Sequence, residues 1–512
     1  MFLHFFDTQG SRMLQRSVFI VTVIITLLTV SPLRAEEQPA EKGTVFTFWP
    51  LVDYRTSPRE HFSNLSLLGP LIKVQQQGDE RTVAVRPLVY READRQSDSS
   101  TTDYLYPIAS SESSPAVTTL QVLKLYQANI YRRDEGPAAE KSTMLFPFYI
   151  SGVSKKYGPY TSVFPIYGDI YERFWRDEYH YVLFPLYGRT VNKGTTTRNY
   201  LYPIFSLISG DHEWGFQCWP LYGQAEKDGV YRRRFALWPI FMQEERGLDT
   251  DNPTRKLMVL PFYAATDSPE LTNRYYLWPF FGYANDRRNK VDETYYLWPF
   301  IMTARGERTV NRILPFYDEE RGKETLKYWY LWPLYRHDEI TSASFVEKND
   351  RILYFLFTDK REQWPVDGKE RRQMALWPLF TFDRDEHGIK NFAFLAPLEP
   401  IVSRPGIEQS WSPLWRIYVQ RWNDAGDSAV SFLWNLYWHE RRGHDLAYEF
   451  FPLLAYRSEA DETDVRLLKG LVRYRVVHGK ATLSFLWLPF GISWQKAAGT
   501  AAPVATETGG EP

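Results

Sequence analysis

Leu183-Phe184-Pro185-Leu186-Tyr187, Cys218-Trp219-Pro220-Leu221-Tyr222, Leu237-Trp238-Pro239-Ile240-Phe241 and Leu331-Trp332-Pro333-Leu334-Tyr335 are variants of one short apolar motif built around a proline. The motif recurs about every nineteen residues, and a repeat of that regularity decides the architecture before any single residue does. Its central prolines run through Pro147, Pro165, Pro185, Pro203, Pro220, Pro239, Pro261, Pro279, Pro299, Pro315 and Pro333. The series extends back through Pro107, Pro87, Pro70 and Pro50 and forward through Pro378, Pro397, Pro413, Pro452 and Pro489. Proline-free copies such as Val122-Leu123-Lys124-Leu125-Tyr126 and Leu353-Tyr354-Phe355-Leu356-Phe357 fill the double-length gaps. The chain between Phe46 and Trp494 therefore holds about two dozen units.

Each unit reads as one β-strand. The apolar runs, such as Phe235 to Met242 and Tyr275 to Ala284, are dense in Tyr, Trp, Phe, Leu and Ile, the residues that favour strands. A proline inside each run would cost a helix about 3 kcal/mol. Polar connections such as Asn285-Asp286-Arg287-Arg288-Asn289-Lys290 and Asp318-Glu319-Glu320-Arg321-Gly322-Lys323 are short, which suits antiparallel neighbours because parallel strands need long crossovers. The expectation is an all-β fold: an antiparallel meander of about two dozen proline-kinked strands, closed or nearly closed as a large barrel or curved sheet.

Alternating residues along such a run share a face. In the run from Phe235, Leu237, Pro239 and Phe241 fall on one face and Ala236, Trp238, Ile240 and Met242 on the other, so both are apolar. That predicts a sheet buried on both sides at mid-strand with charged strand ends, which suits a membrane barrel or a soluble curved sheet. Against a barrel stand the prolines, since each removes a ladder N–H and leaves a carbonyl that hydrocarbon cannot satisfy. Kinks or bulges are therefore expected at Pro239, Pro279, Pro299 and Pro333.

Residues 1–35 read as an export signal: Arg12 and Arg16 precede the uncharged stretch Ser17 to Val30, and Ser31-Pro32-Leu33-Arg34-Ala35 ends on a small residue. Residues 36–494 then form one repeat-built β domain, and 495–512, rich in Ala, Gly, Thr, Pro and Glu, read as a disordered tail. With 61 Lys and Arg against 62 Asp and Glu, the chain has no charge surplus that would draw nucleic acid. Cys218 is the only cysteine, so no intramolecular disulfide or cysteine-based metal site can form, and its apolar setting predicts a buried thiol. Aromatic residues make up 17% of the chain, enough to stabilise a disulfide-free exported fold by packing. On this reading Trp278 and Trp332 are core residues.

The repeat resembles the Leu-Trp/Phe-Pro-Leu-Phe/Tyr repeats of exported Gram-negative envelope proteins that have no assigned function. The resemblance covers nearly the whole chain after residue 35 and implies an envelope location. It carries no activity and no catalytic residue.

No motif points to chemistry. His439-Glu440-Arg441-Arg442-Gly443-His444 has the look of a zinc-protease helix, but its histidines are five apart rather than four and it follows a strand-like run, so a turn is expected. Gly426-Asp427-Ser428 lies in a polar connection and reads as a hairpin turn. Asp383-Arg384-Asp385-Glu386 reads as charge pairing at a strand end. No glycine-rich phosphate cradle occurs. Catalytic, cofactor-binding and metal-binding residues are all expected to be none. The expected function is a non-enzymatic structural or pore-like component of the bacterial outer membrane. The alternative is a soluble or peripheral envelope scaffold in the periplasm that binds a glycan or protein. Its partners would be outer-membrane lipid or an envelope polysaccharide or protein, with no cofactor.

Overall fold

A computed structural model describes residues 43–131, 142–154, 156–401, 404–460, 462–488 and 490–495. The expected signal at 1–35 and nearly all of the expected tail lie outside these residues. Within them the chain is all-β, one antiparallel meander of 46 strands from β1 (Thr44–Phe48) to β46 (Ile492–Gln495). α-Helix is confined to α1 (Arg404–Ser410) and α2 (Ser412–Trp415), between β37 (Lys390–Phe394) and β38 (Tyr418–Trp422). No helix among the described residues is long and apolar enough to cross a membrane.

The sheet holds 46 strands rather than about two dozen because the proline motif is a turn, not a strand centre. Between β19 (Glu213–Cys218) and β20 (Tyr222–Lys227) lie only Trp219, Pro220 and Leu221, and the Leu221 N–H donates to the Cys218 carbonyl at 2.8 Å. The Trp219–Pro220 bond is cis, which places the proline third in a four-residue turn. Pro239, Pro279, Pro299 and Pro333 occupy the same position in their own turns, so the expected mid-strand kinks are not there. Several of the proline carbonyls are satisfied within the rim. Pro185, Pro220 and Pro315 each accept an N–H from the next turn along, donated by Tyr202, Trp238 and Trp332 at 2.7, 2.7 and 2.8 Å. Some turns hold strained backbone: Leu183, Leu237 and Leu331 adopt φ of 46, 47 and 47°, a left-handed region that a leucine occupies at a cost of order 1–3 kcal/mol.

Each apolar turn joins an odd-numbered strand to the even-numbered strand after it, and polar turns such as Gly78-Asp79 and Lys193-Gly194 join even to odd. Antiparallel order therefore collects the apolar turns on one rim and the polar turns on the other. The two rims do not drift. Thr47, Asp53, Ser66, Lys73, Ala84 and Tyr90 are paired in turn across β1 to β6 (Val89–Asp94). The same row continues far along the sheet as Ala375, Thr381, Ala393 and Val419, always second from the apolar rim. One register irregularity, between Tyr295 and Leu297, interrupts it.

Among the described residues hydrogen bonding does not close the sheet, since β1 pairs with β2 (Val52–Ser57) and β46 with β45 (Lys480–Phe485) only. Side chains bring the ends together instead. Arg457 Nη2 donates to the Gly43 carbonyl (3.3 Å), Arg55 Nη1 meets Glu440 (2.7 Å), Trp49 Nε1 donates to the Leu433 carbonyl (2.9 Å) and Trp411 Nε1 to the Tyr106 carbonyl (2.8 Å). Ascending from residue 43 to 106 descends from 457 to 411. The sheet thus bends back, and its first and last strands stack face to face in reverse order.

The face turned inward is the one carrying the second row, because Asp53, Lys73, Val419 and Ser431 line the space between the stacked ends. On it small side chains let neighbours crowd: Ala84, Ala304 and Ala393 are fully buried. Ala284, Val291, Tyr295, Met302, Ala304 and Val310 form a local core there, with Tyr275 stacked on Tyr295 at 5.0 Å.

Candidate functional site: an apolar rim

The position next to the apolar turns, on the outer face, is the most uniform in the molecule. Tyr187, Tyr200, Phe205, Cys218, Tyr222, Ala236 and Phe241 are paired across successive strands. Every paired member of this row, from Phe48 to Phe485 among the described residues, is Phe, Tyr, Leu, Ile, Val, Ala or Cys. The turns above add Leu, Trp, Phe, Ile and Pro, and these side chains are wet: Leu237 is 58% exposed, Trp332 47% and Phe316 63%. The expectation that the tryptophans are core is therefore corrected. Trp278 and Trp332 are half-exposed turn residues, because one of the two faces assigned to a continuous strand is really the outside of a turn.

Rings at the second motif position touch from turn to turn. Phe164 meets Phe184 at 5.3 Å, Phe184 meets Tyr202 at 5.8 Å, Trp219 meets Trp238 at 5.6 Å and Trp332 meets Tyr354 at 5.7 Å. Leu201, Leu237, Leu277 and Leu331 donate their N–H groups to the carbonyl that ends the preceding turn, at 2.7–2.8 Å. Backbone at these turns is thus largely satisfied from within, the condition for entering an apolar medium.

Away from this rim the sheet becomes charged on both faces. Consecutive residues point to opposite faces, so Arg232, Arg233 and Arg234 in β21 (Tyr231–Ala236) charge both, as do Asp359, Lys360, Arg361 and Glu362 in β34 (Phe357–Trp364). The charges are paired both across strands and two residues apart along one strand. Asp359 meets Arg372 at 2.8 Å and Arg361 at 2.7 Å, and Asp464 meets Arg473 at 2.8 Å and Arg466 at 2.6 Å. Burial works against each of these carboxylates, but the arginines outweigh it and hold both below the usual range. Tyr317, donating to Glu319 and then disfavoured by burial, is pushed up to about 12.

The motifs singled out in the sequence lie apart from the rim. His439 is inside β40 (Tyr437–Arg442), while His444 sits in the polar turn beyond Gly443. The segment is thus strand and turn rather than turn alone. The His439 Nε2 is buried and unpartnered. Gly426-Asp427-Ser428 closes the hairpin between β38 and β39 (Ser428–Phe432), with the Asp427 N–H held by Asn423 at 2.9 Å. Of the Asp383–Glu386 run, Asp383 is half-buried and pairs with Arg404 of α1, and Arg384 pairs with Glu370 at 2.8 Å. Both pairs fit the expected charge pairing, but the Asp383 carboxyl is raised, by burial ahead of the opposing pull of Arg404. Cys218 is half-buried at the strand end rather than fully buried. Among the described residues no group of three or more His, Cys, Asp or Glu is placed to hold a metal ion. No protein-family model matches this chain, and no curated protein matches it.

Proposed function

We propose that this protein is a non-enzymatic structural component of an envelope membrane that lies on the bilayer with its apolar rim dipped into one leaflet. The observation that carries this reading is the sorting of apolar turns and the apolar outer row onto one rim. The turn and the row beneath it span about 7–10 Å at roughly 3.3 Å per residue, which matches the 5–10 Å depth of an interfacial element. Its Trp and Tyr content suits the headgroup boundary, where amphipathic rings gather.

Spanning is the weaker form of the membrane reading. A transmembrane strand needs about 9–11 residues and tilts by about 45°. Typical strands here have six residues, and charge on both faces begins at the third and fourth positions from the rim in β21 and at the fifth and sixth in β20. A tilted barrel also needs cumulative stagger between strands, and the second row keeps its height from β1 to β38. A second reading, a periplasmic scaffold holding a glycan, draws support from the turn-to-turn ring contacts, since exposed aromatic faces stack on sugars.

The deciding experiment is flotation of the purified protein with neutral phosphatidylcholine vesicles. Rim insertion predicts co-flotation and a blue shift of tryptophan emission. Sedimentation without lipid, together with a shift on adding envelope polysaccharide, would move the glycan scaffold ahead.

A further inference from the structure

Between the stacked ends of the sheet, just inside the apolar rim, lies a cavity of about 440 Å³. Trp49, Pro50, Gly69, Pro70, Pro413 and Trp434, all near the apolar rim, contribute to its wall. Four cations line it, Arg55, Lys73, Arg86 and Arg416, against one carboxylate, Asp53. Two of the cations are already matched. Arg55 pairs with Asp53 (3.3 Å) and Glu440 (2.7 Å), and Arg416 with Glu408 (3.0 Å) and Glu399 (3.7 Å).

The other two are not. Arg86, 8% exposed, donates Nε to the Gln409 carbonyl (2.8 Å) and Nη1 to the Pro70 carbonyl (2.9 Å), both neutral. The Lys73 ammonium, on β4 (Ile72–Gln77), makes no hydrogen bond or ion pair among the described residues. Burial first, then the neighbouring Arg86, push its ammonium down to about 8, with Glu92 opposing. Burial likewise pushes Arg86 down to about 10. Two like charges this close, Arg86 buried and Lys73 half-buried, with no carboxylate among the described residues paired to either and only Glu92 acting on Lys73 from a distance, are unfavourable unless an anion joins them. Asn64, Ser66, Gln75 and Asn435 also line the cavity and supply amide and hydroxyl groups of the kind that bind polyols.

We infer that this cavity binds a phosphorylated polyol, with the phosphate between Lys73 and Arg86 and the hydroxyls on the amide side. Such a group is the headgroup of an anionic glycerophospholipid or a free polyol phosphate. The lipid form rests on the rim-dipping reading, because only then do acyl chains reach the rim; the free form does not.

The test uses glycerol 3-phosphate in solution, and phosphatidylglycerol against phosphatidylcholine vesicles, with Lys73→Met and, as a control on the polar rim, Lys193→Met. Wild type is expected to melt higher with glycerol 3-phosphate or to prefer phosphatidylglycerol vesicles. Lys73→Met should weaken that binding about tenfold or more, while ligand-free Lys73→Met melts at or above wild type because a buried charge has gone. Binding of glycerol 3-phosphate alone assigns a free ligand; preference for phosphatidylglycerol alone assigns the headgroup. Absence of both in wild type overturns the inference, as does equal weakening by Lys193→Met, or a Lys73→Met protein that melts lower yet binds normally. Failure to float on phosphatidylcholine counts against the rim alone.

Discussion

Trp332→Ala separates rim from core by acting on two free energies at once. The indole is 47% exposed. A large aromatic buries roughly 150–250 Å² when fully covered, so about 100 Å² is packed against neighbours and about 100 Å² stays wet. At about 25 cal/mol/Å² each half is worth about 2.5 kcal/mol. Truncation should therefore lower unfolding stability by about 2.5 kcal/mol, less than the 3–5 kcal/mol of a core tryptophan. It should also weaken vesicle partition by a similar amount, well over tenfold. Urea unfolding followed by circular dichroism measures the first. Competition with wild type for a limiting amount of vesicle surface measures the second, and avoids the saturation that many inserted turns would produce. A loss above about 4 kcal/mol with unchanged competition would make the ring core and refute the rim argument.

Three further outcomes follow from other residues. Cys218, half-buried at the end of β19, should label with a thiol reagent at an intermediate rate in free protein and be shielded on vesicles; equal rates with and without lipid would remove it from the contact zone. Asp359 and Asp464 have folded pKa values held below their unfolded ones, so their contribution is present above about pH 4 and is lost as pH falls through the lowered values. The urea midpoint should therefore be steady near neutrality and drop in acid, less steeply in Arg372→Met, and an unchanged acid slope in that variant would contradict the pairing. Gly282→Ala puts a Cβ 2.1 Å from the Arg274 carbonyl oxygen, so it should cost more than about 2 kcal/mol in urea unfolding, whereas a neutral result would mean the strands there can part.

How much of this was legible in the sequence depends on distance along the chain. The repeat, the antiparallel order and the absence of long helices followed from the spacing of the prolines and the short connections. The strand number did not, because Phe235-Ala236 ends one strand, Leu237 to Ile240 turn, and Phe241-Met242 begin the next. All eight residues are apolar, so composition shows no break, and the left-handed backbone at Leu237 goes against leucine's ordinary preference. Charge misled in the opposite sense: Asp318 to Arg321 read as a connection yet lie in β30 (Tyr317–Arg321), where Arg312 pairs with Asp318 at 2.9 Å. The cationic cavity had no local signal, since Arg86 reaches a carbonyl 323 residues away.

The fixed height of the register row has a consequence for how such a chain can change length. Adding or losing one strand would reverse the direction of every strand after it, and all later apolar turns would move to the charged rim. Adding or losing a hairpin leaves every later turn where it was. The perimeter can therefore grow or shrink only in steps of two strands, and duplicating Tyr222–Ile240 should give a folded, larger protein, while duplicating only Tyr222–Gly229 should not. Parity, rather than any single side chain, is what keeps the two rims different.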